Sequence, residues 1–507
     1  MLTAAFPPGK LDGLAWFALV PLLKAIDKQA PSRAFILGFT AGLAHYFTLI
    51  YWVVVVLKRY GELNALISVS ALALLTFYLS FYPAFFSCLL RHHRLKGYPA
   101  ALFMGASLWV SLEYVRAKAF TGFPWCLLGY TQFKNLSLIQ IADLTGVYGV
   151  SFLVALSNFA IFFLFFRRNT DRAPGLRWQI PCVILMFALT FLYGHQNLKG
   201  DNGNAEEQKI IPATIIQANI DQSVKWDPAY QSKTLDLYEA LTGQTADFGP
   251  TLIVWPETAV PFFAQDVSEL SIRLGEIAGA SGAHFILGSP AYVKDDHGIR
   301  YHNRAYYLSP ERGFSDYYDK VHLVPFGEYV PLKRLLPFIH RLVPAAGDFE
   351  PGKDLSPLKL PFLSAGVIIC FEAIFPELSR RLVKENAEIL VNLTNDAWFG
   401  ATSAPYQHLS MAIFRAVENG RPMLRAANTG FSAFIESSGK IIVRSRLFTE
   451  GILRKRLVVQ AGPLRFYTRH GDVFSGALLI MNLIICLHML YYSARTKTRK
   501  FSQVQGR

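Results

Sequence analysis

Apolar residues gather in long uncharged runs near both ends of the chain and in short runs between them. Ala34 to Leu57 passes 24 residues without Asp, Glu, Lys or Arg, and Leu63 to Leu90 passes 28. Leu144 to Phe166 covers 23, Trp178 to Gly194 covers 17 and Phe474 to Ser493 covers 20. Two further runs carry charges: Leu11 to Ile26 holds Asp12 and Lys24, and Pro99 to Val115 holds Glu113. A bilayer-spanning helix needs about 20 mostly apolar residues. The pattern therefore predicts seven spans: six within a polytopic helical membrane domain over residues 1–200, and a last one at 474–493. A basic tail, 494–507, follows. The opening run has only Lys10 ahead of it and is preceded by Pro7-Pro8, which fits a retained anchor rather than a cleaved signal peptide.

Residues 209–473 alternate differently. Short β-rich runs occur at Ala213 to Ala218, Thr251 to Trp255, His284 to Gly288, Gly366 to Cys370, Ile389 to Leu393 and Phe431 to Glu436. Each stops near polar or turn residues, as buried strands do. Leu235 to Thr242, Val267 to Ala280 and Pro405 to Asn419 read as helices between them. This is the pattern of a folded α/β domain.

Composition agrees with a membrane protein. Apolar residues make up 52% and charged residues 17%, against about 25% charged in soluble chains. The net charge of +14 on its own would suit a nucleic-acid binder, but its distribution does not. Residues 209–473 carry a net of +1, and the excess lies around the apolar runs. Lys28 and Arg33, then Arg91, Arg94 and Lys96, then Arg167, Arg168, Arg172 and Arg177, then the tail place basic clusters in every second loop. Under the positive-inside rule those loops are cytoplasmic. Residues 209–473 are then expected on the opposite face, the periplasmic side of a bacterial inner membrane.

Chemistry concentrates at three expected strand ends. Cys88, Cys182 and Cys486 fall in apolar runs and Cys126 in the Thr121 to Tyr130 loop, so Cys370 is the lone thiol of the α/β region. It follows Val367-Ile368-Ile369 and precedes Phe371-Glu372, at a strand-to-helix turn where a nucleophile can stand exposed. Leu252-Ile253-Val254 leads into Trp255-Pro256-Glu257, and Tyr317-Tyr318-Asp319 into Lys320 and on to Glu328. A carboxylate can take a thiol's proton, and an ammonium can stabilise both thiolate and oxyanion.

Trp255-Pro-Glu257, Lys320 and Cys370-Phe-Glu372 resemble the Glu-Lys-Cys triad pattern of the nitrilase, or carbon–nitrogen hydrolase, superfamily. Within it the chain is similar to the apolipoprotein N-acyltransferase family. The shared segments are Gln217 to Trp226, Pro325-Phe-Gly-Glu328, Asn395 to Gly400, Asn428-Thr-Gly430 and, in the membrane part, Thr121-Gly-Phe-Pro-Trp125. The resemblance implies an α/β/β/α sandwich beside the membrane helices. It also implies transfer of a fatty acyl group from a phospholipid donor to the α-amine of a diacylglyceryl-Cys apolipoprotein, with no cofactor. In that scheme Glu257 is the general base and Cys370 the nucleophile. Lys320 and the N–H of Phe371 hold the oxyanion, and Glu328 is a further essential acid. Trp226 and Glu372 match other functional positions. The family often has Tyr where this chain has Phe371, and it carries one more helix at its front. A thioester intermediate suits this chemistry, because two bulky lipid substrates need not bind together. A membrane-anchored amidase with water as acceptor is the alternative, and a transporter with an inactive α/β domain a third reading. The almost charge-free spans argue against transport.

Other residues have plainer readings. Glu372 also suits a helix N-terminus, and Trp226 a core or interfacial position. Asn395 and Asp396 read as a turn. Arg415, Glu418, Arg421 and Arg425 read as ion-paired support at helical spacing. His322 and His408 lack a ligand cluster, so no metal is expected. The stretch Tyr329 to Pro344 mixes Leu336, Phe338 and other apolar residues with Lys333, Arg334 and Arg341. That amphipathic mix suits a lipid-facing arm guarding substrate access, with Leu336 and Phe338 at the opening.

Overall fold

The first apolar run does not form one helix. In the computed structural model, which describes residues 1–92, 101–166, 176–200, 208–296, 298–330, 349–460 and 462–505, it folds as a 3-10 turn Asp12–Trp16 and a short helix Val20–Ile26. Seven residues at 1.5 Å each reach about 10 Å, well short of a bilayer core of about 30 Å. The break is held by Asn158, whose amide accepts from Leu19 N–H at 2.7 Å and donates to the Ala15 carbonyl at 2.8 Å. The expected span at Leu11 to Ile26 is corrected accordingly. The second run is bent by 51° between Pro31–Leu49 and Trp52–Arg59. Three helices among the described residues are long and apolar enough to cross a membrane: Ala65–His92, Val147–Phe166 and Trp178–Lys199. The bent pair makes a fourth if counted as one span. Ala101–Lys118 and Val473–Gln505 are helical too.

Pro31–Leu49 and Ala65–His92 approach backbone to backbone. A Cβ on Gly38 would lie 2.4 Å from the Pro83 carbonyl, and one on Gly42 would lie 2.6 Å from the Pro83 ring. Two small residues four apart allow this contact, which in lipid replaces the hydrophobic effect as the packing force.

Among the described residues the α/β region has twelve strands: β1 Gln208–Gln217, β2 Leu252–Val254, β3 His284–Asp295, β4 Gly298–Ser309, β5 Gly313–Asp319, β6 Leu358–Lys359, β7 Ser364–Ile369, β8 Ile389–Thr394, β9 Met423–Ala427, β10 Ala433–Ile435, β11 Ile441–Arg444 and β12 Gly451–Gln460. They form two six-stranded sheets, ordered β12-β1-β2-β3-β4-β5 and β11-β10-β9-β8-β7-β6. Each sheet has a parallel centre, β1-β2-β3 in one and β7-β8-β9 in the other, with antiparallel strands outside. The inner faces meet through Ile215, Val254 and Ile286 against Val367, Ile369, Val391 and Leu424. Pro228–Gly243 and Glu269–Ser281 cover the outer face of the first sheet through Leu235, Tyr238 and Leu274. Pro376–Lys384 and Ala404–Asn419 cover the second. The result is the expected α/β/β/α sandwich.

Strands β4, β6, β9, β11 and β12 have no counterpart among the runs expected from hydropathy. In β4 the polar His302, Asn303 and Arg304 interrupt the apolar pattern although all three are buried. Ala404–Asn419 is wedged between the second sheet and the membrane helices, and nearly all of it is buried. Gln407 bonds to the Leu49 carbonyl (3.2 Å) and accepts from the indoles of Trp52 (3.2 Å) and Trp125 (2.8 Å).

Candidate active site

In open parallel sheets ligands bind outside the carboxyl ends of the strands. Glu257 lies just beyond the end of β2 and Cys370 just beyond the end of β7, each a parallel strand of its own sheet. Lys320 follows β5, next to β4 in the first sheet. The sandwich thus brings residues 257, 320 and 370 to one region, where burial and mutual electrostatic influence join them.

Glu257 is 6% exposed. Its Oε1 accepts from the Asn303 side-chain amide at 2.8 Å and lies 3.8 Å from Lys320 Nζ. Its Oε2 is buried and has no hydrogen-bond partner among the described residues, which leaves it free to receive a proton. The turn bearing Glu257 passes directly over β3 at Gly288. A Cβ there would lie 2.5 Å from Thr258 N and 2.8 Å from Glu257 Cα, so only glycine fits.

Lys320 is 1% exposed and donates to Glu328 Oε1 at 2.8 Å. Burial works to lower its basicity, but Glu328, Glu257 and Cys370 outweigh it, and the amine is held above its ordinary range. This favours the charged ammonium. Glu328 is fixed in turn by the Val324 N–H on Oε2 (2.8 Å) and by Asn303 on Oε1 (3.0 Å). Asn303 therefore bridges Glu257 and Glu328 from one side-chain nitrogen.

Cys370 is 8% exposed and adopts φ +51°, a sparsely populated conformation for a non-glycine residue. Such strain is typical of a nucleophile on a sharp strand-to-helix turn. Burial pushes the thiol up, Glu257 pushes it further, and Lys320 pulls against both, with a net upward shift. The resting group is a thiol that needs a base, and Glu257 offers the unpartnered oxygen.

The remaining expected site residues separate. Glu372 commits both oxygens to hydrogen bonds around the site. It is fully buried and accepts from Tyr318 Oη (2.9 Å), Val321 N–H (2.8 Å) and His322 N–H (3.0 Å) on one oxygen and from Ile369 N–H (2.7 Å) on the other. It ties the segment after Lys320 to the strand before Cys370. Phe371 packs on Phe375 with ring centroids 5.2 Å apart. Trp226 is 45% exposed, and its neighbour Lys225 is the one turned inward. Leu336 and Phe338, with the arm from residue 331 onward, lie outside the described residues. Arg415 pairs with Glu418 at 2.7 Å as expected, but the helix stops at Asn419. Arg425 stands on β9 and pairs with Asp396 at 2.8 Å, so its helical assignment is corrected.

Two polar residues at the site were not singled out from sequence, Asn303 and Lys225. Lys225 is 1% exposed and donates to the Glu257 carbonyl at 3.1 Å. Burial pushes its amine down to about 8, against the opposing pull of Glu257 and Cys370. The signal for Lys225 lay in the Gln217 to Trp226 segment. Asn303 had none, because its strand was not recognised.

The apolipoprotein N-acyltransferase N-terminal domain profile matches residues 1–160, and the carbon-nitrogen hydrolase profile matches 213–461. An apolipoprotein N-acyltransferase of Geobacter metallireducens is 44% identical over 481 residues, 94% of this chain and 91% of that one. The chain belongs to the apolipoprotein N-acyltransferase family. Another such protein, from Nitrosomonas europaea, is 31% identical over 98% of this chain and 99% of its own. A crystal structure of a carbon-nitrogen hydrolase from Helicobacter pylori G27 aligns with 48% of this chain and 88% of its own, at 17% identity and a TM-score of 0.36. Membership accounts for the pairing of apolar helices with a nitrilase-like sandwich: this is a membrane protein with an enzyme domain of the carbon–nitrogen hydrolase superfamily.

Proposed function

We propose that the protein moves a fatty acyl chain from a phospholipid to the N-terminal α-amine of a diacylglyceryl-Cys apolipoprotein, through a thioester on Cys370. The observation that carries this reading is a buried Glu257 Oε2 with no hydrogen-bond partner among the described residues, within electrostatic reach of the buried Cys370 thiol and of Lys320, in a chain of this family over nearly its whole length.

In the first half, Glu257 accepts the thiol proton and the thiolate attacks the ester carbonyl. Lys320 and the Phe371 N–H receive the oxyanion. Collapse breaks the ester bond, and the departing lipid alkoxide takes the proton from Glu257. In the second half, the neutral α-amine attacks the thioester and Glu257 accepts a proton from nitrogen. The thiolate then leaves and recovers that proton. Each positioned proton transfer contributes about 10²–10⁴-fold, and each oxyanion donor about 10²–10³-fold. Separating the halves lets the two lipid substrates use one site in turn. The alternation of basic clusters supports a periplasmic catalytic domain at the inner membrane and a cytoplasmic tail.

The test is to incubate purified protein with phospholipid and no acceptor, then weigh it intact. One added acyl group on Cys370, absent from Cys370→Ser and released when a diacylglyceryl-Cys peptide is supplied, is the expected result. Free fatty acid with no transfer to the peptide would overturn the transferase reading in favour of a hydrolase.

A further inference from the structure

Beneath the nucleophile lies a buried polar cluster that the mechanism above does not use. The His408 ring is fully buried in Ala404–Asn419, and its Nε2 lies 3.0 Å from the Cys370 carbonyl oxygen. A carbonyl can only accept, so Nε2 carries the hydrogen in either protonation state. The other ring nitrogen lies 3.0 Å from Asp396 Oδ1 and 3.1 Å from the Arg425 guanidinium. Arg425 holds Asp396 Oδ2 at 2.8 Å, and Thr394 donates to Asp396 Oδ1 at 2.9 Å. Above the ring, the Trp125 indole stacks with centroids 5.8 Å apart and 28° between planes. The imidazole is clamped on both edges and one face.

The group it holds is unusual. The Cys370 carbonyl belongs to the same rigid peptide plane as the Phe371 N–H. In a trans peptide the C=O and N–H point in opposite directions. Fixing the carbonyl towards His408 therefore fixes the N–H on the side away from His408, at a residue whose own φ of +51° is strained. Left alone, that peptide would relax by rotating about φ and ψ, and the N–H would swing with it.

We infer that His408 is a positioning residue that sets the oxyanion donor: by holding the Cys370 carbonyl from below, it aims the Phe371 N–H at the tetrahedral oxygen. This rests on the reading of Cys370 as the acylated nucleophile. It also gives the Trp125 segment of the membrane part a role in catalysis, because the indole that bonds to Gln407 also packs on the ring that orients the turn.

Two reactions of the same thiol separate this role from general support. Alkylation of Cys370 by iodoacetamide needs the thiolate but forms no oxyanion. Acylation by phospholipid needs both. Both rates are followed at Cys370 by peptide mass spectrometry, in wild type, His408→Phe and His408→Gln. Phe keeps the ring stack and removes the donor; the Gln amide restores a donor near the Nε2 position. The expected result for His408→Phe is acylation slowed by about 10²–10³-fold, the size of a lost oxyanion donor, with alkylation unchanged. His408→Gln recovers most of the acylation rate. Acylation of His408→Phe at the wild-type rate would overturn the inference. So would parallel loss of both rates, which marks simple disorganisation, or a Gln variant as slow as Phe. Absence of acylation in wild type would instead strike the proposed function itself.

Discussion

Asn303→Leu separates stability from catalysis at this site. The Asn303 amide nitrogen donates to Glu257 Oε1 at 2.8 Å and to Glu328 Oε1 at 3.0 Å, and its carbonyl oxygen is buried without a partner among the described residues. An unpartnered buried acceptor costs about 1–3 kcal/mol. Leucine, of similar size, removes that cost along with the two donated bonds, so the variant should melt close to wild type. Catalysis should not survive as well. With Asn303 gone, the nearest cation to Glu257 is Lys320, 3.8 Å away. Closing that gap to a contact like the 2.8 Å one Lys320 makes with Glu328 gains about 1.5 kcal/mol at an effective dielectric of about 20. That is roughly a tenfold preference for a carboxylate turned towards Lys320 and away from the thiol. Both iodoacetamide alkylation of Cys370 and acylation by phospholipid should fall about tenfold together, since both need the base. The parallel loss is the opposite of the split expected for His408→Phe. Wild-type alkylation in Asn303→Leu would show that Glu257 is held by something else, and a large drop in melting temperature would show that Asn303 is structural.

Cys370→Ser should form no acyl adduct with phospholipid in an intact-mass assay, because a hydroxyl beside the same base is far harder to ionise than a thiol. Lys225→Met should stabilise the protein near neutral pH. Burial holds the folded amine at about 8 against an ordinary 10.5, so the unfolded chain binds the extra proton between those values, and wild-type stability rises by ~3 kcal/mol as pH climbs through that window. Denaturant melts from pH 7 to 10.5 should show that rise in wild type and lose it in Lys225→Met; matching slopes would refute it. Glu372→Gln leaves at least one of four buried donors facing an amide NH₂, which should cost about 1–3 kcal/mol in a chemical melt. Unchanged stability would remove Glu372 as the tie between β5 and β7.

Legibility from sequence followed the periodicity of the strands. Glu257 and Cys370 stood out because β2 and residues 365–369 of β7 are apolar and buried, so the chemistry-bearing residue after each marks a strand end. Lys320 was legible as the basic residue closing the Tyr317-Tyr318-Asp319 run, although β5 is largely open to solvent and alternates weakly, and the resemblance gave it a role. Asn303 was out of reach: it sits inside a strand whose buried polar residues cancel the hydropathy signal, and its partners lie 46 and 25 positions away. Glu372 shows a different limit. Two residues from the nucleophile suggests the site, yet its side chain turns back to collect four donors. The failed span at Leu11 to Ile26 has the same root, because hydropathy counts apolar residues and cannot register that Asn158, more than 130 positions later, captures two backbone groups in the middle of the run.

The site's construction explains why these long-range polar contacts recur. The proposed base Glu257 on one sheet and the proposed nucleophile Cys370 on the other can be aligned only if the sheets keep their relative position. Hydrophobic contact between the inner faces is non-directional and sets spacing better than registry. Hydrogen bonds supply the direction. Glu372 crosses from the second sheet to the segment after β5, and Asn428 accepts from Ile220 N–H at 2.9 Å and donates to its carbonyl at 2.8 Å, joining the turn after β1 to the turn after β9. Gln407 and His408 then carry the same logic outward, the first gripping Leu49, Trp52 and Trp125 of the membrane part, the second gripping the Cys370 carbonyl. Adjacent residues on one helix turn thus join the membrane helices to the reacting peptide, with almost no flexible side chain between. A lipid-handling enzyme benefits from that arrangement, because its substrates arrive at a depth fixed by the bilayer and its thiol must be held at a fixed height above the same helices.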